Sequence, residues 1–69
     1  MDYWKIITID PRVRDGKPCI RGLPITVAEV IEYLASGISI EQVLAKHTEL
    51  RHEDVRASLK FAASHASGA

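Results

Sequence analysis

The apolar positions of this chain change their spacing near residue 25. Before it they come as short β-branched runs, Ile6-Ile7-Thr8-Ile9 and Cys19-Ile20, cut by Asp10-Pro11, Asp15-Gly16 and Arg21-Gly22-Leu23-Pro24. Ile and Thr suit a pleated, half-buried surface. Proline pushes the residue before it out of the helical region, and Asp-Gly is a turn dipeptide. The pattern predicts a strand over 4–9, a second over 17–20 and a further bend at 21–24. Ile6, Ile7 and Ile9 place apolar groups on both sides of the first strand, whereas a half-buried strand needs only one.

After residue 25 the spacing becomes helical. Val27, Val30, Ile31 and Leu34 share one face of a first helix. Thr26-Val27-Ala28-Glu29 has the form of a capping box, and Ser36-Gly37 ends the helix with a residue suited to the left-handed cap. Ser39-Ile40-Glu41-Gln42 is a second capping box, opening a short helix with Ile40, Val43 and Leu44 inward and an end near Lys46. Leu50 anchors the connection. A third helix is expected from Arg51 or His52 to about Ala63, with Val55, Leu59 and Ala62 inward. Its first turn holds Glu53 and Asp54, which suit the helix dipole, but neither Arg51 nor His52 is a favoured cap. The chain reads as one domain: a β arm with bends over 4–25, a three-helix core over 26–63 and a frayed tail over 64–69. The expected class is mainly α, a homeodomain-like helix-turn-helix core with a short N-terminal β arm.

Composition narrows the function. Hydrophobic residues make up 46% of the 69 residues and aromatics 6%, so the core is aliphatic and thin, and a homodimer is expected. Trp4, Ile6, Ile7 and Ile9 are the candidate dimer surface. The formal net charge is zero, with a surplus of +2 over residues 1–21 and −2 over the remainder. That balance does not mark a free-standing nucleic-acid binder. Arg56 and Lys60, one turn apart on the third helix, are the candidate DNA contacts. Arg21, at a forced bend, has two readings. It ties the arm to the helices through carbonyls or a carboxylate, or it contacts a partner.

Cys19 is alone and reads as a small buried hydrophobe. His47, His52 and His65 have no metal-ligand spacing with it, and Gly16-Lys17 lacks the remainder of a phosphate loop. No catalytic constellation is visible, so no enzyme, cofactor, metal or small-molecule substrate is expected. No apolar stretch is long enough to span a bilayer and no signal peptide is visible, so the expected location is the cytoplasm.

The ordered blocks Asp10-Pro11, Gly16-Lys17-Pro18-Cys19-Ile20-Arg21-Gly22, Ile25-Thr26-Val27, Gly37, Ser39-Ile40-Glu41 and Glu53-Asp54-Val55-Arg56-Ala57-Ser58-Leu59 span Ile6 to Ala63. In them the chain resembles the domain of unknown function 433 family, short bacterial and archaeal proteins described as VapB-like and antitoxin-like. Leu23-Pro24, His47-Thr48 and Arg51 depart from that pattern, and the last removes a Thr that would cap the third helix. The resemblance implies a trihelical fold with a β arm and a neighbouring-gene partner, commonly a toxin with a PIN-like nuclease fold. It implies no catalytic residues.

The leading expectation is an antitoxin-like module that sequesters such a nuclease and helps to repress its own operon by binding operator DNA. A stand-alone DNA-binding regulator and an interaction domain without a toxin partner are the alternatives. Only six residues follow Ala63, so a toxin is expected to be held by folded surface. The basic Arg12, Arg14, Lys17 and Arg21 of the arm are the candidate contacts to the carboxylates of a nuclease site.

Overall fold

The structure, a computed structural model, describes residues 2–66. A 3₁₀ turn over Tyr3–Lys5 leads into β1 (Ile7–Thr8), a tight turn over Arg14–Gly16 and β2 (Cys19–Ile20). Three helices follow: α1 (Val27–Ala35), α2 (Ile40–Lys46) and α3 (His52–Ala66). The architecture is mainly helical with a short N-terminal β arm, as the change of spacing at residue 25 predicts.

The first strand is shorter than 4–9. Asp2 accepts a hydrogen bond from the Trp4 N–H at 3.1 Å and so caps the 3₁₀ turn, leaving only Ile7–Thr8 extended. A short polar side chain that bonds its own backbone competes with the extended state in this way. β1 and β2 pair antiparallel, Ile7 opposite Ile20 and Thr8 opposite Cys19, and Cys19 also bridges to Thr26. β2 is therefore flanked on both sides. Between them the chain reverses through Arg21 (φ 45°) and Gly22 (φ 74°), closed by the Leu23 N–H on the Ile20 carbonyl at 2.7 Å. Positive φ at both central residues is the geometry of a type I′ turn, and at Arg21 it is strained.

The helix ends follow the expected chemistry. Thr26 accepts the Glu29 N–H at 3.0 Å. Ser39 and Gln42 form the complete reciprocal box. Gly37, at φ 97°, closes α1, with the Gly37 N–H on the Leu34 carbonyl and the Ile38 N–H on the Tyr33 carbonyl. That pair of bonds is the Schellman arrangement.

The core gathers Ile7, Ile20, Ile25, Val27, Val30, Val43, Leu50, Val55, Ala57 and Phe61. Cys19 is buried with them, and burial pushes its thiol above the ordinary range. α3 departs from expectation in two respects. Its inward edge is Asp54, Val55, Ala57, Ser58 and Phe61, while Leu59 is 42% exposed. The rotation follows from Asp54, which is drawn inward by a partner described below, with Ser58 one turn on donating its hydroxyl to the Asp54 carbonyl at 2.9 Å. The helix also continues past Ala63 to Ala66, where His65 stacks on Phe61 with ring centroids 4.0 Å apart. Of the tail expected to fray, 64–66 is helical and 67–69 lies outside the described residues.

Candidate functional site

The turn at Arg21–Gly22 aims the Arg21 side chain at the start of α3. Its Nε donates to Asp54 Oδ1 at 3.1 Å and its Nη2 to Asp54 Oδ2 at 2.9 Å. Nη2 also donates to the Glu49 carbonyl at 2.6 Å. The two-pronged contact is the strong form of the guanidinium–carboxylate pair. It holds the guanidinium above its usual range. Asp54 is 1% exposed, so the pair ties the arm to the helices at a buried point. Asp54 Oδ2 also accepts the Arg51 N–H at 2.9 Å. A carboxylate at the third helical position thereby reaches back to the N-cap amide, which is one half of a capping box; the Asp54 N–H goes to the Arg51 carbonyl at 2.9 Å in place of a cap side chain. Of the two readings of Arg21, the structure shows the tie.

Arg14 is committed in the same manner. Its Nη1 donates to the Pro24 carbonyl at 3.1 Å and to Glu29 Oε1, joining the arm to the first turn of α1. Arg12 is exposed and pairs locally with Asp10, Nη2 to Oδ2 at 3.0 Å. That hydrogen bond holds the Asp10 carboxyl below its ordinary range. Of the four basic residues proposed from sequence for a partner, Lys17 alone lies beside an open apolar surface.

That surface is a groove of about 430 Å³ between α1 and the C-terminal half of α3. Val27, Ala28, Ile31, Phe61 and Ala62 contribute its apolar wall, with Lys17 and Glu32 also lining it. Trp4 meets the same Phe61 edge-on, with ring centroids 5.6 Å apart, and remains 52% exposed. Phe61 is itself 8% exposed, so Trp4 and the groove share one largely buried ring. The sequence signals for this feature were Ala28 and Ala62, small residues on facing helices, which leave space between larger neighbours.

The residues proposed for dimerisation are divided. Ile7 lies in the chain's own core and is unavailable to a second copy. Ile6 is half-buried against that core, whereas Trp4 and Ile9 are open to solvent. Arg56 and Lys60 are exposed on the outward side of α3 and engage no other group among the described residues. Arg51 lies near Glu53 at 3.7 Å, and His52 near Glu41 at 3.7 Å. Among the described residues no three His, Cys, Asp or Glu groups converge on a point that would hold a metal, and no helix is long and apolar enough to cross a membrane.

Residues 7–62 match the profile of a family described as protein of unknown function (DUF433). The chain is similar to a solved structure, a DUF433 member protein from Anabaena variabilis, with a TM-score of 0.83 and 27% identity. The likeness covers 90% of this chain and 61% of the other, so this chain spans less than two thirds of that protein's length. No curated protein matches.

Proposed function

This chain belongs to the DUF433 family, and from that premise we propose that it is a folded binding module of the antitoxin type. In this reading it holds a PIN-like nuclease encoded beside it. The observation that carries the reading is the apolar groove between α1 and the C-terminal half of α3. Its wall is apolar, as at the centre of a protein-binding patch, and Lys17 and Glu32 line it through their apolar stems. Arg12, Arg14 and Arg21 of the arm each pair with a carboxylate of the same chain, so the contact is assigned to this groove.

Ala28 is exposed on α1 and lines the groove, so Ala28→Arg fills the groove without disturbing the core. Co-expression with the product of the adjacent reading frame is the test. Wild type is expected to capture it and Ala28→Arg to lose it while keeping the wild-type circular dichroism spectrum. Capture unaffected by Ala28→Arg removes the groove from the interface, and no capture by wild type removes the nuclease reading in favour of an interaction domain of another kind.

Operator binding, the alternative, would draw on Arg56 and Lys60 on the outward face of α3, and the exposed Glu53 at the start of that helix counts against it. Phosphate contacts of that kind make affinity fall steeply with salt. A second copy of the chain is proposed to cover Trp4 and Ile9, and light scattering measures it. A strict monomer at micromolar concentration would remove that proposal.

A further inference from the structure

Arg56, Leu59, Lys60 and Ala63 form one exposed stripe on α3, at spacings that place them on a single helical face. Arg12, Arg14, Arg21 and Arg51 lie beside a carboxylate and Lys46 lies over the Tyr33 ring. Of the cations with no carboxylate beside them among the described residues, Lys5 and Lys17 stand singly in the arm, whereas Arg56 and Lys60 lie one turn apart on one helix face. Between those two cations stands Leu59, 42% exposed and one of the few large hydrophobic side chains open to solvent.

We infer that this stripe docks an acidic helical segment of a partner protein, one with carboxylates a turn apart around an apolar residue. The inference rests on the binding-module reading and adds to it a second contact surface and the chemistry that fits it. A second copy of the chain does not suit this face, because an antiparallel α3 pair would set Arg56 and Lys60 against their own equivalents. Duplex DNA suits it less well than an acidic polypeptide does. A recognition helix reads bases with its N-terminal residues, and here that end presents exposed Glu53, with Glu41 beside His52. Those carboxylates would face the phosphates, while Leu59 would sit among polar backbone groups. An acidic helix meets the two cations with its carboxylates and covers Leu59 with its apolar residue. This arrangement places an apolar anchor within a charged rim.

The test uses the full chain and a fluorescein-labelled, alanine-based helical peptide carrying two Glu a turn apart with Leu between them, followed by anisotropy at low salt. Wild type is expected to bind it, and the double charge reversal Arg56→Glu/Lys60→Glu to weaken binding at least about tenfold. The reversed protein is expected to prefer the same peptide with Lys in place of both Glu. Leu59→Ser is expected to weaken both matched pairs. All three positions are exposed, so these variants should keep the wild-type unfolding curve.

Equal binding by wild type and the reversed protein overturns the inference, as does no binding up to about 1 mM peptide. Duplex DNA that binds wild type, displaces the peptide and is lost on charge reversal makes DNA the occupant and overturns it too. Capture of the adjacent-frame nuclease is scored separately. Peptide binding without capture leaves the stripe assignment standing and removes the nuclease reading; capture by a protein that ignores the peptide does the reverse.

Discussion

In the arm, Arg14 and Arg21 each turn inward onto a carboxylate and a main-chain carbonyl, whereas on α3 Arg56 and Lys60 face solvent with Leu59 between them. The two regions carry the same sign of charge and differ in what surrounds it. Arg21 sits at a turn whose geometry aims it at a buried acid across a large gap in sequence. Arg56 and Lys60 sit on a regular helix whose acids lie elsewhere. A guanidinium with a fixed carboxylate contributes to stability, and one without is left for a partner. Two of the five basic residues in the first 21, Arg14 and Arg21, therefore fasten the arm to the helices.

The sharpest way to break that comparison is Arg21→Ala. It leaves Asp54 buried without its cation. Breaking a fully buried pair costs about 3–5 kcal/mol, and Arg21 is one-third exposed, so about 2–3 kcal/mol is expected. A chain of this length is typically stable by about 3–10 kcal/mol, so urea unfolding should move far to lower denaturant. Arg21→Lys should recover only part of the loss, since an ammonium cannot make the two-pronged contact. Arg14→Ala comes next. Its pair with Glu29 is about one-third to two-fifths exposed on both sides, and a loss of about 1 kcal/mol in the same assay is expected. Wild-type stability in either variant would make that arginine free surface.

Arg56→Ala and Lys60→Ala sharpen the other half of the comparison. Each should leave the unfolding midpoint within about 0.5 kcal/mol of wild type while weakening the acidic-peptide complex. The smallest effect belongs to Arg12→Ala. The Arg12 hydrogen bond lowers the Asp10 carboxyl, so NMR titration of Asp10 should move upward toward the ordinary carboxylate range. The sign for stability follows: the pair contributes above the ordinary carboxylate range and its contribution is lost as pH falls through the lowered value. Both groups are at the surface, so the shift of the unfolding curve near neutral pH should be downward and the smallest of the series.

Local signals in the sequence account for most of the helical core. The Ser39–Gln42 box, Thr26 as a cap, Gly37 as a left-handed stop and Leu50 as an anchor are all decided by residues within one turn of each other, and all are present in the structure. What was not legible depends on distant partners. Leu59 looks inward by periodicity, but the pull of Arg21 on Asp54 turns α3 so that Ser58 and Phe61 take the inward edge. The start of α3 lacks a cap side chain at Arg51, and Asp54 at the third helical position supplies only the reciprocal half of a capping box, on the Arg51 amide. The apolar run extends the predicted strand back to Trp4, whereas Asp2 and the Phe61 ring hold that residue in a 3₁₀ turn. The groove depends on the same kind of distant contact: Ala28 and Ala62 mark it only once α1 and α3 are set side by side.

The Arg21–Asp54 pair is the most direct point of attack on the proposal that the arm's cations are structural. A double-mutant cycle of Arg21→Ala, Asp54→Ala and the two together, read by urea unfolding, isolates that pair from the cap that Asp54 also provides. A favourable coupling of about 2 kcal/mol is expected. A coupling below about 0.5 kcal/mol would mean that the two side chains act independently, and that Arg21 belongs with Arg56 and Lys60 as surface available to a partner.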